Sequence, residues 1–206
     1  MSFNELLLSR WTKPLFFALG LLPLGALVWA IMVDQLGANP AETLVRSTGD
    51  WSLRLLCVVL ALTPLRSVLG WAALARLRRM VGLFAYFYVT LHLLSYAWFD
   101  MGFELGDIAR DIAKRPFILV GFLAFVLLSA MAFTSFNLAI KTLGGKAWKR
   151  LHQSVYLVAL LAILHFFWLR AGKNDFAEVM VYAGVMAVLL GWRVRHAMLS
   201  RRQVHC

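Results

Sequence analysis

Six long apolar runs dominate the sequence, near residues 14–33, 52–72, 80–99, 117–136, 151–169 and 177–193. A helix needs about 20 apolar residues to cross the hydrocarbon core of a bilayer, so each run is long enough to span it. Unpaired backbone groups are costly in lipid, and continuous runs favour helices over barrel strands, which alternate over about ten residues. The sequence therefore predicts an all-α membrane protein with a bundle of six transmembrane helices.

Composition excludes most soluble classes of protein. Hydrophobic residues make up 62% of the chain and charged residues 15%, whereas soluble domains are roughly 45–50% apolar. The two cysteines, Cys57 and Cys206, cannot build a disulfide framework. No P-loop, GxGxxG or CxxC motif follows a strand pattern. We therefore expect any soluble redox chemistry to come from a partner protein.

Charge sets the expected orientation of the bundle. Six spans place both termini on one side, and fourteen of the 21 Lys and Arg residues flank that side: Arg10, Lys13, Arg66, Arg76, Arg78, Arg79, Lys141, Lys146, Lys149, Arg150, Arg193, Arg195, Arg201 and Arg202. Nine of the 10 acidic residues flank the other side. An excess of basic residues marks the cytoplasm. We expect cytoplasmic termini in a bacterial inner membrane, with lipid headgroups rather than nucleic acid as the partner of the net charge of +11.

The chain is expected to be one domain over residues 1–206. The first apolar run is longer than the 7–15 residues of a signal-peptide core, and we expect it to be retained. The longest predicted loop, near residues 100–116, is too short to form a separate domain.

Two histidines lie deep within predicted spans, where an ionisable residue is a functional candidate. His92 is 13 residues beyond Arg79 and His165 is 14 beyond Leu151, in helices that run in the same direction. At 1.5 Å per residue both are about 20 Å into the bilayer. Two imidazoles at one depth suit axial ligation of one haem iron; the alternative is a pair of polar residues bonded between helices. Ligation from both sides leaves no position for oxygen, which favours electron transfer.

His152 presents a different problem, because it stands near the basic boundary of the fifth span. On an ideal helix it is about 140° from His165, and no second transmembrane histidine lies at its depth. His152 is a candidate for ligating iron with a different partner, contacting a haem propionate, or binding a flavin or quinone. An interfacial role beside Lys149 and Arg150 is the alternative.

Arginines flank the same boundary. Their planar guanidinium groups suit propionate or phosphate, although most of these residues are explained by membrane orientation and lipid contact. Arg78 and Arg79 are the two that we assign to a cofactor site.

Several motifs together resemble one known family. They are LLPLGALVWA in the first span, LTPLR at 62–66, RRMVGLFAYFYVTLHLLSYA at 78–97, RPFILVG at 115–121 with AFTS at 132–135, and WKRLHQSVYLVALLAILHFFW at 148–168. The chain resembles, over nearly its whole length, the MsrQ (YedZ) family of haem-binding membrane subunits, within the ferric-reductase-like transmembrane superfamily.

The resemblance implies a six-helix protein that carries haem b, one or two per chain, and FMN. The matching ligand positions are His92, His152 and His165. Electrons would come from the quinone pool, or from a cytoplasmic flavin reductase, and pass to a periplasmic molybdenum-cofactor reductase (MsrP-like) that repairs oxidised methionines. Wider relatives hold two stacked haems with two histidines on each of two helices; this sequence departs from that pattern at Arg78.

Two other functions remain open from the sequence. One is a stand-alone transmembrane reductase of ferric or cupric ions, although no His, Cys or Met cluster marks the predicted outer loops as a metal site. The other is a haem-free membrane anchor for a periplasmic partner, whose histidines only bridge helices.

Overall fold

The computed structural model describes residues 3–172 and 174–204 of the chain. Lys173, His205 and Cys206 lie outside these residues, as do the side chains of Arg201 and Arg202. The described chain is helical, with a short 3-10 turn at Ala72–Leu74 and no strand. Its α-helices, in chain order, are α1 (Phe3–Leu8), α2 (Thr12–Met32), α3 (Pro40–Leu69), α4 (Ala75–Phe99), α5 (Leu105–Lys114), α6 (Pro116–Phe133), α7 (Asn137–Gln153), α8 (Val155–Ala171) and α9 (Ala177–Val204).

Six segments of the described chain are long and apolar enough to span a bilayer, which confirms the predicted number: Thr12–Met32, Pro40–Leu69, Ala72–Phe99, Pro116–Phe133, Asn137–Ala171 and Ala177–Ser200. Below, the end of the bundle that carries Arg78, Arg79 and Arg150 is called the basic end. The opposite end, which carries Asp100, Asp107 and Asp175, is called the acidic end.

Helix α3 begins about three turns before the predicted start near residue 52. The Asn39 side chain accepts a hydrogen bond from the Glu42 backbone N–H at 3.2 Å, and Pro40 occupies the first turn; both features favour a helix start. With 30 residues, α3 is about 45 Å long, which exceeds the roughly 30 Å hydrocarbon core. Its first turns, missed because they are polar, carry part of the site described below.

The connections also contain helices that hydropathy did not predict. The expected loop near residues 100–116 holds the amphipathic helix α5, which is joined to α4 by a hydrogen bond from the Tyr96 hydroxyl to Asp111 at 2.6 Å. Helix α7 precedes the fifth predicted run, with a break at Gly144, where φ is 74°. Such a positive φ favours glycine.

The bundle is built from two closely packed helix pairs, α3 with α4 and α6 with α8. The largest apolar core lies where α3, α6, α8 and α9 meet, around Leu60, Val158 and Ala159, whose exposed fraction is 0%. Helix α2 is peripheral. It is attached to α4 by the fully buried Tyr88, whose hydroxyl donates to the Gly20 carbonyl and accepts from the Leu24 N–H.

Arg193 of α9 compensates for a proline in α3. Because Pro64 has no N–H, the carbonyl of Leu60 lacks its usual helical donor. Arg193 donates to that carbonyl from Nη2 at 2.9 Å and to the Tyr156 hydroxyl from Nη1 at 2.8 Å. Arg193 thus joins α3, α8 and α9. In the sequence it stood out only as one of the basic residues that set the orientation of the bundle.

Candidate functional site

The structure brings His92 of α4 and His165 of α8 close together inside the bundle. Their ring centroids are 6.2 Å apart, and the ring planes are inclined by 80°. Both side chains are withdrawn from the surface and lie on different helix pairs. The equal depth inferred from the sequence is therefore matched by direct proximity in the fold.

One nitrogen of each imidazole is bound to the backbone of a neighbouring helix. His92 Nδ1 lies 2.8 Å from the Val45 carbonyl oxygen in α3, and His165 Nδ1 lies 2.6 Å from the Phe117 carbonyl oxygen in α6. A carbonyl only accepts hydrogen bonds, so each Nδ1 must carry the proton. Each Nε2 then keeps a lone pair, which is the state in which a neutral histidine ligates a metal.

A glycine stands against each of these rings. A Cβ added to Gly49 of α3 would lie 3.0 Å from His92 Nδ1, and one added to Gly121 of α6 would lie 2.8 Å from His165 Nδ1. The contact at Gly121 is shorter than real Cβ atoms show, and the contact at Gly49 is tighter than nine in ten real Cβ contacts, so either ring would have to move. The two rings therefore occupy space that any other residue at positions 49 and 121 would fill.

The donor set fits a haem iron. With metal–nitrogen bonds of about 2 Å, two imidazoles on opposite sides of one iron have centroids roughly 6 Å apart, close to the 6.2 Å seen here. No group of three or more His, Cys, Asp or Glu suited to a metal occurs in the described residues. A pair of imidazoles with fixed tautomers suits a metal whose other ligands come from a macrocycle.

His152 lies apart from this pair, at the end of α7, where Ser154 separates it from α8. Its Nε2 is 3.3 Å from the Thr134 hydroxyl, and its ring stacks on Trp148 with a centroid distance of 4.0 Å. The Trp148 Nε1–H donates to the Thr134 carbonyl at 2.9 Å. These contacts anchor His152 to the start of the connection between α6 and α7.

The two arginines assigned from the sequence lie at the basic end and point to different helices. Arg78 donates to the Thr63 hydroxyl of α3 at 3.1 Å, and Arg79 donates to the Asn137 side chain of α7 at 3.1 Å. Arg78 is also near enough to His152 to act on it electrostatically. Arg78 and His152 thus share one region, about 20 Å along the helices from the paired histidines.

At the acidic end, Arg170 connects α8 to α9 beyond His165. Its side chain, exposed by only 7%, pairs with Asp175 at 3.1 Å and with Glu178 at 2.5 Å. Arg170 is the buried member of this cluster, whereas the Asp175 and Glu178 side chains are about half exposed. This ion cluster fixes the end of the helix that carries His165.

The sequence did not reveal the backbone carbonyls and the glycines that position the two histidines. The predicted spans included Gly121 without assigning it a role, and they left Gly49 and Val45 outside altogether. The available signal was a glycine at nearly the same distance before each of the two histidines: Gly49 is 43 residues before His92, and Gly121 is 44 residues before His165.

Comparison with known proteins agrees with this geometry. Residues 48–163 match the model of the family described as "Ferric reductase like transmembrane component". This match includes all of α4 with His92, all of α6 and the first part of α8, and it ends two residues before His165. No solved structure matches the chain.

Curated relatives are similar over almost the whole chain. A protein of Polaromonas naphthalenivorans is 65% identical over 96% of this chain and 91% of its own length. Relatives from Herminiimonas arsenicoxydans (50% identical; 92% of this chain, 87% of the relative) and Bordetella pertussis (53%; 88% of each) are also similar. All three are named "Protein-methionine-sulfoxide reductase heme-binding subunit MsrQ". The chain therefore belongs to the MsrQ family of ferric-reductase-like transmembrane proteins.

Proposed function

We propose that this protein is the haem-binding, electron-transferring membrane subunit of a methionine sulfoxide reductase system, with one haem b held between His92 and His165. The observation that carries the proposal is the pair of imidazoles 6.2 Å apart, each with Nδ1 bound to a backbone carbonyl. The names of the curated relatives support the same reading.

The residues act by binding and orienting. The Val45 and Phe117 carbonyls hold both imidazoles in the tautomer that offers Nε2 to a metal, and hydrogen bonding to the far nitrogen makes an imidazole a stronger ligand. When bound, haem supplies a one-electron carrier. With His92 and His165 as its two ligands from the protein, a bound haem would have no position left for oxygen or substrate, which favours electron transfer.

The orientation of the chain in the membrane sets the direction of electron flow in this proposal. We infer that both termini and the basic end face the cytoplasm, since basic residues gather on the cytoplasmic side of inner-membrane proteins. The acidic end then faces the periplasm, where a molybdenum-cofactor reductase of the MsrP type would take the electrons and repair oxidised methionines. The single domain would carry electrons from the cytoplasmic side of the membrane to the periplasmic side.

We assign the donor side to the basic end. Electrons would enter from the quinone pool or from a cytoplasmic flavin reductase, with FMN or the quinone bound near His152, Arg78 and Arg79. Arginines suit the phosphate of a flavin. His152 already has Trp148 on one ring face and Thr134 at Nε2, which favours a flavin or quinone contact over ligation of a second haem.

Haem quantitation on histidine variants tests the proposal. Wild type and the variants His92→Ala, His165→Ala, His152→Ala and His196→Ala would be purified in detergent, and haem b counted by pyridine haemochrome with reduced-minus-oxidised spectra. His196 is the matched control, because it is exposed and lies beside Trp192 of α9. We expect one haem per chain in wild type, nearly none in the first two variants, and full content in the last two.

Each other outcome has a definite meaning. A well-folded wild type without haem would refute electron transfer and leave a membrane anchor. Two haems, with one lost in His152→Ala, would contradict the assignment of His152 to flavin or quinone and establish a second iron at the basic end.

A further inference from the structure

We propose that Gly49 and Gly121 are positioning residues, which set the binding strength and reduction potential of the haem iron by opening one backbone carbonyl to each axial histidine. The proposal rests on the proposed function, since it concerns the same pair of imidazoles. Neither glycine is expected to touch the haem; each acts through the ring beside it.

The argument begins with the direction of side chains on a helix. Every Cα–Cβ bond tilts toward the helix N-terminus, so a side chain lies over the turn that precedes its own Cα. The residue at position i+4 therefore covers the carbonyl of residue i. Val45 and Gly49 stand in this relation in α3, and Phe117 and Gly121 stand in it in α6. In both helices the residue that would cover the accepting carbonyl is the one without a side chain.

The two histidine rings leave little room for a side chain at either glycine. The nearest atoms to an added Cβ are ring atoms of the histidine itself: Nδ1 and Cε1 at 3.0 and 3.1 Å for Gly49, and at 2.8 and 2.9 Å for Gly121. A methyl group at either position would push the ring away from its carbonyl. The displacement would be greater at Gly121, where the contact is shorter.

Other glycines in the bundle separate this role from ordinary packing. An added Cβ at Gly82 of α4 would meet only Val59, at 4.0 Å, and one at Gly184 of α9 would meet nothing within 4 Å. One at Gly20 of α2 would collide with the Phe84 ring at 2.5 Å. Gly20 is therefore as crowded as the proposed pair but has no contact with a histidine.

The same arrangement occurs twice. The α3–α4 pair and the α6–α8 pair each supply a carbonyl, a glycine four residues later and a histidine on the partner helix, with Nδ1–oxygen distances of 2.8 and 2.6 Å. Close packing that arose by chance would not be expected to repeat all three features: the four-residue spacing from carbonyl to glycine, the backbone carbonyl as acceptor, and the histidine Nδ1 as donor. The repetition favours a functional requirement for both hydrogen bonds.

The chemical consequence follows from the acceptor. A hydrogen bond from Nδ1–H to a carbonyl increases the basicity of the opposite nitrogen, which strengthens its bond to the metal and stabilises the oxidised iron. Weakening that hydrogen bond should lower the affinity for haem and raise the reduction potential. Partners of this kind change metal affinity by about 10- to 100-fold when mutated.

Four variants of the full chain test this: Gly49→Ala, Gly121→Ala, Gly20→Ala and Gly82→Ala. Haem dissociation, the midpoint potential and the low-spin ferric EPR spectrum would be measured on each, together with thermal unfolding. We expect Gly49→Ala and Gly121→Ala to release haem about 10- to 100-fold more readily, with a higher potential and shifted EPR features, the larger change being in Gly121→Ala. Gly20→Ala should unfold more easily but keep the wild-type potential, and Gly82→Ala should match wild type throughout.

A potential and EPR spectrum for both Gly49→Ala and Gly121→Ala equal to those of Gly82→Ala would overturn the proposal while leaving the haem assignment intact. If Gly121→Ala does not accumulate in cells, Gly49→Ala alone tests the proposal. Its added methyl group would be 3.0 Å from the histidine ring, farther than the 2.8 Å at Gly121. A wild type that folds without haem would instead refute the proposed function on which this inference rests.

Discussion

The Tyr88 hydroxyl joins helix α2 to α4 through two hydrogen bonds. Tyr88 is fully buried, and its hydroxyl donates to the Gly20 carbonyl at 2.8 Å and accepts from the Leu24 N–H at 3.1 Å. Gly20 and Leu24 are four residues apart, so the hydroxyl bonds both ends of one helical hydrogen bond. Pro23 lies in the same turn of α2, where insertion of a side chain into the hydrogen-bond ladder is a recognised cause of bending.

Two substitutions at this residue should differ clearly in cost. Tyr88→Phe removes only the hydroxyl, and the Leu24 N–H can then bond the Gly20 carbonyl directly, so we expect a loss of about 1 kcal/mol. Tyr88→Ala also leaves a cavity and should cost about 3–5 kcal/mol. Denaturant unfolding of the detergent-solubilised protein measures both. Equal losses would mean that the hydroxyl, rather than the buried ring, carries the stabilisation.

At the scale of single residues, the sequence predicted that His92 and His165 lie together but not what supports them. Depth along a helix follows from counting residues, and the two rings lie 6.2 Å apart, as their matched depths indicated; their role as haem ligands stays a prediction. The contact between Gly49 and His92 depends on the rotation and register of α3 against α4, which no single-chain periodicity specifies. His152 lies within the fifth spanning segment, Asn137–Ala171, but a break at Ser154 separates it from the helix that carries His165, and the sequence did not indicate this break.

At the scale of the helices, Arg193 of α9 contacts both α3 and α8, and its contact with α3 replaces a backbone hydrogen bond that Pro64 removes. Pro64 deprives the Leu60 carbonyl of its helical donor, and Arg193 replaces that donor from α9 while bonding Tyr156 of α8. Its guanidinium also lies over the Tyr156 ring, 5.1 Å from the centroid. A charge so placed is tolerated within a bundle because it is bonded to protein groups.

A double-mutant cycle tests this link. Arg193→Met leaves the Leu60 carbonyl without a donor and should cost about 1–3 kcal/mol. In a Pro64→Ala background the new Ala N–H can supply that donor, so the same change should cost less, with a coupling of about 0.5–3 kcal/mol.

Controls for the cycle are available in the chain. Arg195→Met removes a charge from an exposed neighbouring position, and Pro23→Ala removes a helical proline from α2. The unfolding free energy of each variant would be measured in one detergent. An unchanged cost of Arg193→Met in the Pro64→Ala background would contradict the link.

The helical elements were predictable where hydropathy alone decides them. All six spans were predicted, because continuous apolar length is a sufficient signal for each. The start of α3 at Pro40 and the helices α5 and α7 were missed because their sequences are polar or mixed. Helix α3 begins at the Asn39 cap, whereas α5 and α7 have no side-chain cap at their first turns.

For the molecule as a whole, the uneven distribution of charge gives a test of orientation. We expect both termini in the cytoplasm, because the segments on that side carry most of the lysine and arginine. A fluorescent protein fused to the C-terminus should therefore fluoresce, and alkaline phosphatase inserted between α2 and α3 should be active. The reverse pattern would place the basic end outside and would contradict the proposed direction of electron flow.

The use of backbone carbonyls to hold both histidines has a consequence for mutagenesis. Substituting Val45 or Phe117 leaves the accepting oxygen in place, so alanine scanning would pass over both positions as unimportant. Inserting one residue between 45 and 49, in contrast, would rotate the two parts of α3 relative to each other by about 100°. The Val45 carbonyl would then no longer lie beside the space that Gly49 leaves open. The site is thus tolerant of changes in side-chain identity and sensitive to helix length, and insertions or deletions rather than substitutions would reveal it.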